Sequence, residues 1–198
     1  ASWMGDKEHR MTPRRIIDAM ISGGTGAVDV AAACACSGIV IGVIAITGLG
    51  LAFSSFVLSM SQGILPLALF LTMIGSIILG MGVPTTAQYI ITSTLAAPAL
   101  AQMGVPMFSA HLFCLYFGVL ADVTPPVALA TYASAGIAKS EPLKTGFTAL
   151  LVAAAGFIVP YMFIYNPGLL LQGGVLEIVF ASVTALIAVI GLSAAVQG

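Results

Sequence analysis

No aspartate, glutamate, lysine or arginine occurs between Asp29 and Asp122. About 20 predominantly apolar residues already span a bilayer, so an uncharged run of this length far exceeds what a buried core helix needs. Composition agrees: 60% of the 198 residues are hydrophobic and 7% are charged, against about a quarter charged in a soluble domain. Such a chain cannot cover a water-facing surface, and its first partner is the lipid bilayer. The fold class that follows is an all-α integral membrane protein, a polytopic helix bundle. A formal net charge of −1 points to no nucleic acid.

The uncharged run is punctuated. Thr12-Pro13-Arg14-Arg15 reads as an N-cap with proline at the first helical position. It predicts a short amphipathic helix from Pro13 to about Ser22, lying on the membrane surface and ended by Gly23, Gly24 and Gly26. Residues 1–26 therefore form a polar N-terminal segment and 27–198 a transmembrane domain. A first span runs from about Val28 to Thr47, rich in small residues that suit close helix packing. Gly48-Leu49-Gly50 breaks it, and a short interfacial helix over 51–61 follows. Two apolar arms, Ile64–Leu79 and Thr85–Gln102, meet at Gly80-Met81-Gly82-Val83-Pro84. The stretch Phe108–Leu120 is interrupted at Ala121-Asp122-Val123-Thr124-Pro125-Pro126 and resumes to Ala138. After the polar loop 139–144, two ordinary spans, about Thr145–Ile164 and Leu170–Ala195, turn at Asn166-Pro167-Gly168. The chain starts at Ala1 without methionine and stops at Gly198 after an apolar run, which reads as a piece of a longer polypeptide.

Arg10, Arg14 and Arg15 precede the first span, and Lys139 and Lys144 lie in the later loop. The positive-inside rule puts both in the cytoplasm. The first span then exits and the broken segment 108–138 returns, so the arms between them start and finish outside. A hairpin that dips in and two full spans both satisfy that parity. The uncharged turn Gly80–Thr86 favours a tip held inside protein near mid-membrane.

Both helix breaks sit in apolar surroundings, where unpaired backbone survives only if protein or a polar cavity satisfies it. Carbonyls at helix carboxyl ends suit a small cation, and N–H groups at helix amino ends suit an anion. Thr85 and Thr86 stand beside one break and Thr124 beside the other. Gln88 and Tyr89, in the first turns after the tip, are placed to face a substrate cavity. Asp122 is the only acid of the long middle region; it can join a cation site, carry a proton or cap the helix that restarts near Pro125. His111 is a weaker candidate near the start of a span, and Glu177 reads as a helix-end residue. Cys34, Cys36 and Cys114 lack metal-ligand spacing and read as small apolar filler. No zinc-hydrolase, nucleophile-elbow or phosphate-loop motif occurs, so an enzyme is not expected and no cofactor is implied.

Two motifs bring a family into view. Leu79-Gly80-Met81-Gly82-Val83-Pro84-Thr85-Thr86, with Ala97-Pro98-Ala99-Leu100 at the end of the following arm, resembles the large membrane subunit of tripartite ATP-independent periplasmic (TRAP) transporters. Phe117-Gly118-Val119-Leu120-Ala121-Asp122-Val123-Thr124-Pro125-Pro126-Val127-Ala128-Leu129-Ala130 extends the match, which runs from about Pro13 to Leu171 and is most similar to the fused permeases of the TAXI-type branch. The resemblance implies an elevator-type symporter of a bacterial or archaeal cytoplasmic membrane. It would take up organic anions, commonly carboxylates, with sodium as the coupling ion. Its partners would be a periplasmic substrate-binding protein and a small membrane subunit, separate or fused. The family has two inverted repeats, each with a re-entrant hairpin and a discontinuous helix, and this chain would hold the second, its carboxyl-terminal half. By that match Gly80, Val83, Ala121 and Thr124 would hold sodium, while Thr85 and Thr86 would face substrate. The helix 13–22 and one or both of the closing spans would form the scaffold, and this half alone would not transport. Two other readings stay open: a proton-coupled carrier using Asp122, and a membrane scaffold module that transports nothing.

Overall fold

The structure, a computed structural model, describes residues 12–197, so the polar residues up to Arg10 and Met11 lie outside it. Helix α1 runs from Pro13 to Thr47 without a break. Thr12 caps it as expected, its hydroxyl oxygen accepting from the Arg15 N–H at 3.4 Å. The expected stop at Gly23, Gly24 and Gly26 does not occur, and the separate short helix merges with the first span. A glycine costs about 1 kcal/mol inside a helix, but the apolar, alanine-rich sequence beyond Gly26 propagates the helix because any interruption would expose backbone polar groups. The real stop is Gly48, in the left-handed region at φ 68°, whose N–H donates to the Ile44 carbonyl. Helix α2 (Leu49–Ser61) leaves at 68° to the end of α1. The Ser54 hydroxyl ties it to the Leu95 carbonyl at 3.4 Å.

Helices α3 (Leu65–Gly80) and α4 (Thr85–Gln102) are the two arms. At 16 residues α3 is about 24 Å long, short of a ~30 Å hydrocarbon core. Helix α5 (Met107–Leu120) follows after Pro106, and a single 3-10 turn, Ala121–Val123, ends it. Helix α6 starts only at Leu129 and runs to Ala138. Helices α7 (Pro142–Val152) and α8 (Ala154–Tyr165) together make a 24-residue apolar rod. Pro142 opens α7, so the polar loop is shorter than the sequence suggests. A 3-10 turn at Pro167–Leu170, capped by Asn166 accepting from the Gly168 N–H at 3.2 Å, leads to α9 (Val175–Gln197). Glu177 accepts from the Gly174 N–H at 3.2 Å and so sits at the helix start as expected. The described residues contain no strand.

The centre is the packing of α3, α4 and α5 against one another, with α8 laid over α5. Phe113, Phe117 and Tyr161 meet edge to face, with centroids 4.8 to 5.9 Å apart, an arrangement aromatic quadrupoles favour. Leu69, Leu100 and Val57 fill the space around them. The outer surface is as apolar as the core: Leu176, Phe180, Leu186, Ile187 and Ile190 of α9 all point outward. That inversion of the soluble pattern suits a bundle surrounded by lipid. By length and composition the two rods α7–α8 and α9 can cross a membrane, and the bent pair α1–α2 makes a third.

Candidate functional site

The arms α3 and α4 end at a tip of four residues, Met81 to Pro84. Gly82 takes φ 77°, which an L side chain rarely adopts, and lets the chain reverse. The Val83 N–H reaches back to the Gly80 carbonyl at 3.4 Å, and the Gln88 N–H bonds the Pro84 carbonyl at 2.9 Å to start α4. Proline has no N–H to lose at this position, so α4 begins immediately after it. The first-turn N–H groups of α4, at Thr85, Thr86 and Ala87, have no acceptor inside the helix. Thr85 and Thr86 are exposed; Ala87 is buried.

The second break has its own supports. The Thr124 hydroxyl donates to the Leu120 carbonyl at 2.7 Å, and the Thr124 N–H donates to the Ala121 carbonyl at 3.2 Å. The bond between Pro125 and Pro126 is cis, and Ala128 turns through φ 34° before α6 begins. Tyr132 reaches back from α6, its hydroxyl donating to the Pro126 carbonyl at 2.7 Å. Gly146 of α7 lies close enough that a Cβ there would stand 3.2 Å from Pro125 Cγ and 3.4 Å from a Tyr132 ring carbon. The break is thus braced on one side by its own returning helix and on the other by a closing span.

The two breaks touch. A Cβ on Gly80 would lie 3.1 Å from Ala121 Cβ, and one on Gly82 would lie 3.7 Å from Val127 Cγ1. Neck and tip of the hairpin therefore rest on the turn that interrupts the α5–α6 path. Two helix carboxyl ends, those of α3 and α5, converge there with one helix amino end, that of α4. A site built this way offers neutral carbonyl and hydroxyl oxygens beside free N–H groups. Among the described residues no three His, Cys, Asp or Glu side chains gather into a metal site.

A model of the family described as "Tripartite ATP-independent periplasmic transporter, DctM component" matches residues 2–178. The chain belongs to that family. It is a membrane component of a transporter. No curated protein and no solved structure matches it.

In this DctM chain Gly80 and Ala121 are buried against each other, and Val83 and Thr124 are half-buried in the same two turns. Gln88 lies elsewhere than the tip surface: it is 1% exposed, and its carboxamide is wedged between Gly80 and Gly118. Tyr89 also turns inward, its hydroxyl 3.0 Å from His111 Nδ1, which ties α4 to α5 and gives His111 a partner. Asp122 is half-buried in the 3-10 turn. It does not cap α6, because that helix starts at Leu129 with Ala128 before it and no side-chain cap. The two prolines carry the chain past Asp122 in a non-helical path, which puts the new amino end too far along the sequence for this carboxylate. Cys114 is buried and free, as filler; Cys36 is free and exposed, and the side chain of Cys34 lies outside those described. Gly118, Val127, Tyr132 and Gly146 were not anticipated as parts of the site. The only sequence signal for Gly118 and Gly146 is a glycine inside an apolar helical stretch, which marks close approach without naming the neighbour.

Proposed function

We propose that this chain is the second inverted repeat, the carboxyl-terminal half, of a TAXI-type TRAP permease that couples sodium entry to uptake of organic anions. The observation that carries the reading is the contact of the hairpin neck with the broken helix, Gly80 against Ala121 and Gly82 against Val127. Hard monovalent cations take neutral oxygens, and the carbonyls of Gly80, Val83 and Ala121 with the Thr124 hydroxyl supply them from the two facing turns. The Thr124 O–H donates to Leu120, so its oxygen lone pairs are the part left to face a cation. Exposed Thr85 and Thr86, at the positive end of α4, present hydroxyls and N–H groups to a carboxylate. A role for Gln88 in holding substrate requires the arms to part, whereas Thr85 and Thr86 require no movement.

In this reading α3 to α6 travel as one body against a scaffold of α1 and the closing rods, an elevator in a cytoplasmic membrane. A periplasmic binding protein delivers the anion, and a small membrane subunit, separate or fused, completes the scaffold. The other half of the permease supplies the rest of the substrate site, so the fragment alone does not transport.

The test uses the full-length permease in proteoliposomes with its binding protein. Uptake is compared under a sodium gradient and under a matched potassium gradient, for wild type and Thr124→Ala. Sodium-dependent uptake with a raised sodium requirement in the variant supports the reading. Uptake that ignores sodium and follows the proton gradient sinks it in favour of Asp122, a carboxylate in the broken turn that caps nothing.

A further inference from the structure

The corner between α6 and α7 carries charges that the proposed transport reaction leaves unused. It opens a cleft of about 420 Å³ lined by Ser140, Glu141, Lys144, Thr145 and Thr148. Hydrogen bonds hold its frame: the Ser140 N–H donates to the Ala135 carbonyl at 3.0 Å, and the Ser140 and Thr145 hydroxyls meet at 2.8 Å. The Thr145 hydroxyl donates to the Glu141 carbonyl at 2.8 Å, and the Thr148 hydroxyl donates to the Lys144 carbonyl at 2.9 Å. The two charged ends are left over. Glu141 precedes α7 without capping it through its side chain. Glu141 and Lys144 stand three residues apart, a spacing at which side chains can pair, yet neither forms an ion pair with any described residue. Lys139, next to Ser140, lies outside the lining.

The depth of the cleft is set by the rod it begins. Pro142–Tyr165 is a 24-residue apolar rod, about 36 Å long, and a hydrocarbon core is about 30 Å thick. Its first turn therefore stands in the headgroup layer. Leu143, Phe147 and Leu151 are exposed and recur every four residues, so they form an apolar stripe beside the cleft that runs down into the acyl layer. We propose that this cleft binds one phospholipid whose headgroup carries a phosphodiester and a primary ammonium, as in a phosphatidylethanolamine, with its chains along Leu143, Phe147 and Leu151. Lys144 and the cleft hydroxyls take the phosphate, and the Glu141 carboxylate takes the ammonium. The lining holds one charge of each sign, which matches a zwitterion. An anionic headgroup would place its charge beside Glu141 with nothing to offer it, and a choline headgroup has no N–H for the carboxylate. The lipid fixes the turn of α7 that holds Gly146, the residue packed on Pro125 at the broken helix.

The experiment titrates the full-length permease in detergent with phosphatidylethanolamine, phosphatidylcholine or phosphatidylglycerol of the same chains, and counts bound lipid by native mass spectrometry. Wild type should retain the ethanolamine lipid over both others. Glu141→Gln should weaken that lipid by about two- to fivefold, the effect of one exposed charge pair, and should erase its advantage over the choline lipid. Lys144→Gln should weaken all three lipids alike. Soluble phosphoethanolamine lacks the chains and should not displace the lipid at equal concentration. Equal retention of the three lipids, or preference for the glycerol lipid, overturns the inference. So does an ethanolamine preference that survives Glu141→Gln, or lipid affinity untouched by Lys144→Gln. Displacement by phosphoethanolamine would make this a site for a soluble phosphate ester and overturn the lipid. Should a variant not be recovered, the wild-type preference alone decides. None of these readouts depends on sodium, so this inference and sodium coupling can fail separately.

Discussion

Alanine at position 80 is a one-carbon change whose effect follows from three neighbours. The new methyl would stand 2.8 Å from Gln88 Cδ and 3.1 Å from Ala121 Cβ, where carbon pairs prefer about 3.5–4.0 Å. Retreat of the amide is blocked, because Gly118 already leaves only enough room for it: a Cβ there would lie 3.0 Å from the same Cδ. Overpacking of this kind costs about 1–3 kcal/mol. Against it stands the helix-propensity advantage of alanine over glycine, about 1 kcal/mol in a helix interior and less at Gly80, the last residue of α3. The net loss is about 1–2 kcal/mol. Gly23→Ala is the matched control, since nothing lies within 4 Å of a Cβ there. It keeps the propensity advantage alone and is neutral or mildly stabilising. Thermal unfolding of the purified full-length permease, followed by loss of the monodisperse peak on heating, separates the two. In a Gln88→Ala background the further loss caused by Gly80→Ala should shrink, because the obstructing amide is gone. If Gly80→Ala unfolds at the same temperature as Gly23→Ala, Gln88 is not wedged between α3 and α5.

Three further outcomes follow from the braces around the site. Tyr132→Phe removes the 2.7 Å bond to the Pro126 carbonyl and should cost about 1 kcal/mol, read in the same unfolding assay; an unchanged midpoint would show that α6 does not support the break. Gly146→Leu places a large side chain where a Cβ already lies 3.2 Å from Pro125, so α7 must move off the turn. Stability should drop by about 1–3 kcal/mol and uptake with it, whereas normal stability would mean that α7 does not pack here. Tyr89→Phe leaves His111 Nδ1 without its 3.0 Å partner and should loosen α4 from α5. Faster hydrogen exchange confined to those two helices is expected, and unchanged exchange would count against the contact.

The punctuation of the chain was legible because proline and glycine act locally. Pro84 fixes the start of α4 at Thr85, and the pair Pro125-Pro126 keeps α5 from continuing into α6. Local signals fail where the cost is small or the answer depends on a neighbour. Gly23, Gly24 and Gly26 weaken a helix without ending it, and α1 runs through them. Nothing in the sequence reveals that Ala128 rather than Pro125 precedes α6, because the turn between them is held by Tyr132 from beyond it. The inward turn of Gln88 was equally hidden. In a membrane bundle both faces of a helix are apolar, so the pattern that marks inside and outside in a soluble protein carries little information. A polar residue one turn from a helix break reads as pointing to the cavity, and only the paired glycines at 80 and 118 create the alternative space inside. The contact of Gly80 with Ala121 joins residues far apart in sequence, which no local rule supplies.

Sodium binding, separated from transport, tests the central claim that the hairpin neck and the broken helix share one cation site. The full-length permease in detergent is heated in sodium chloride or potassium chloride at equal ionic strength, for wild type and Thr124→Ala. A ligand at 100 times its dissociation constant stabilises the state that binds it by about 2.7 kcal/mol. A shared sodium site gives a midpoint that rises with sodium and not with potassium, and a Thr124→Ala curve displaced to higher sodium. Equal responses to the two salts, or a sodium response untouched by Thr124→Ala, would contradict it.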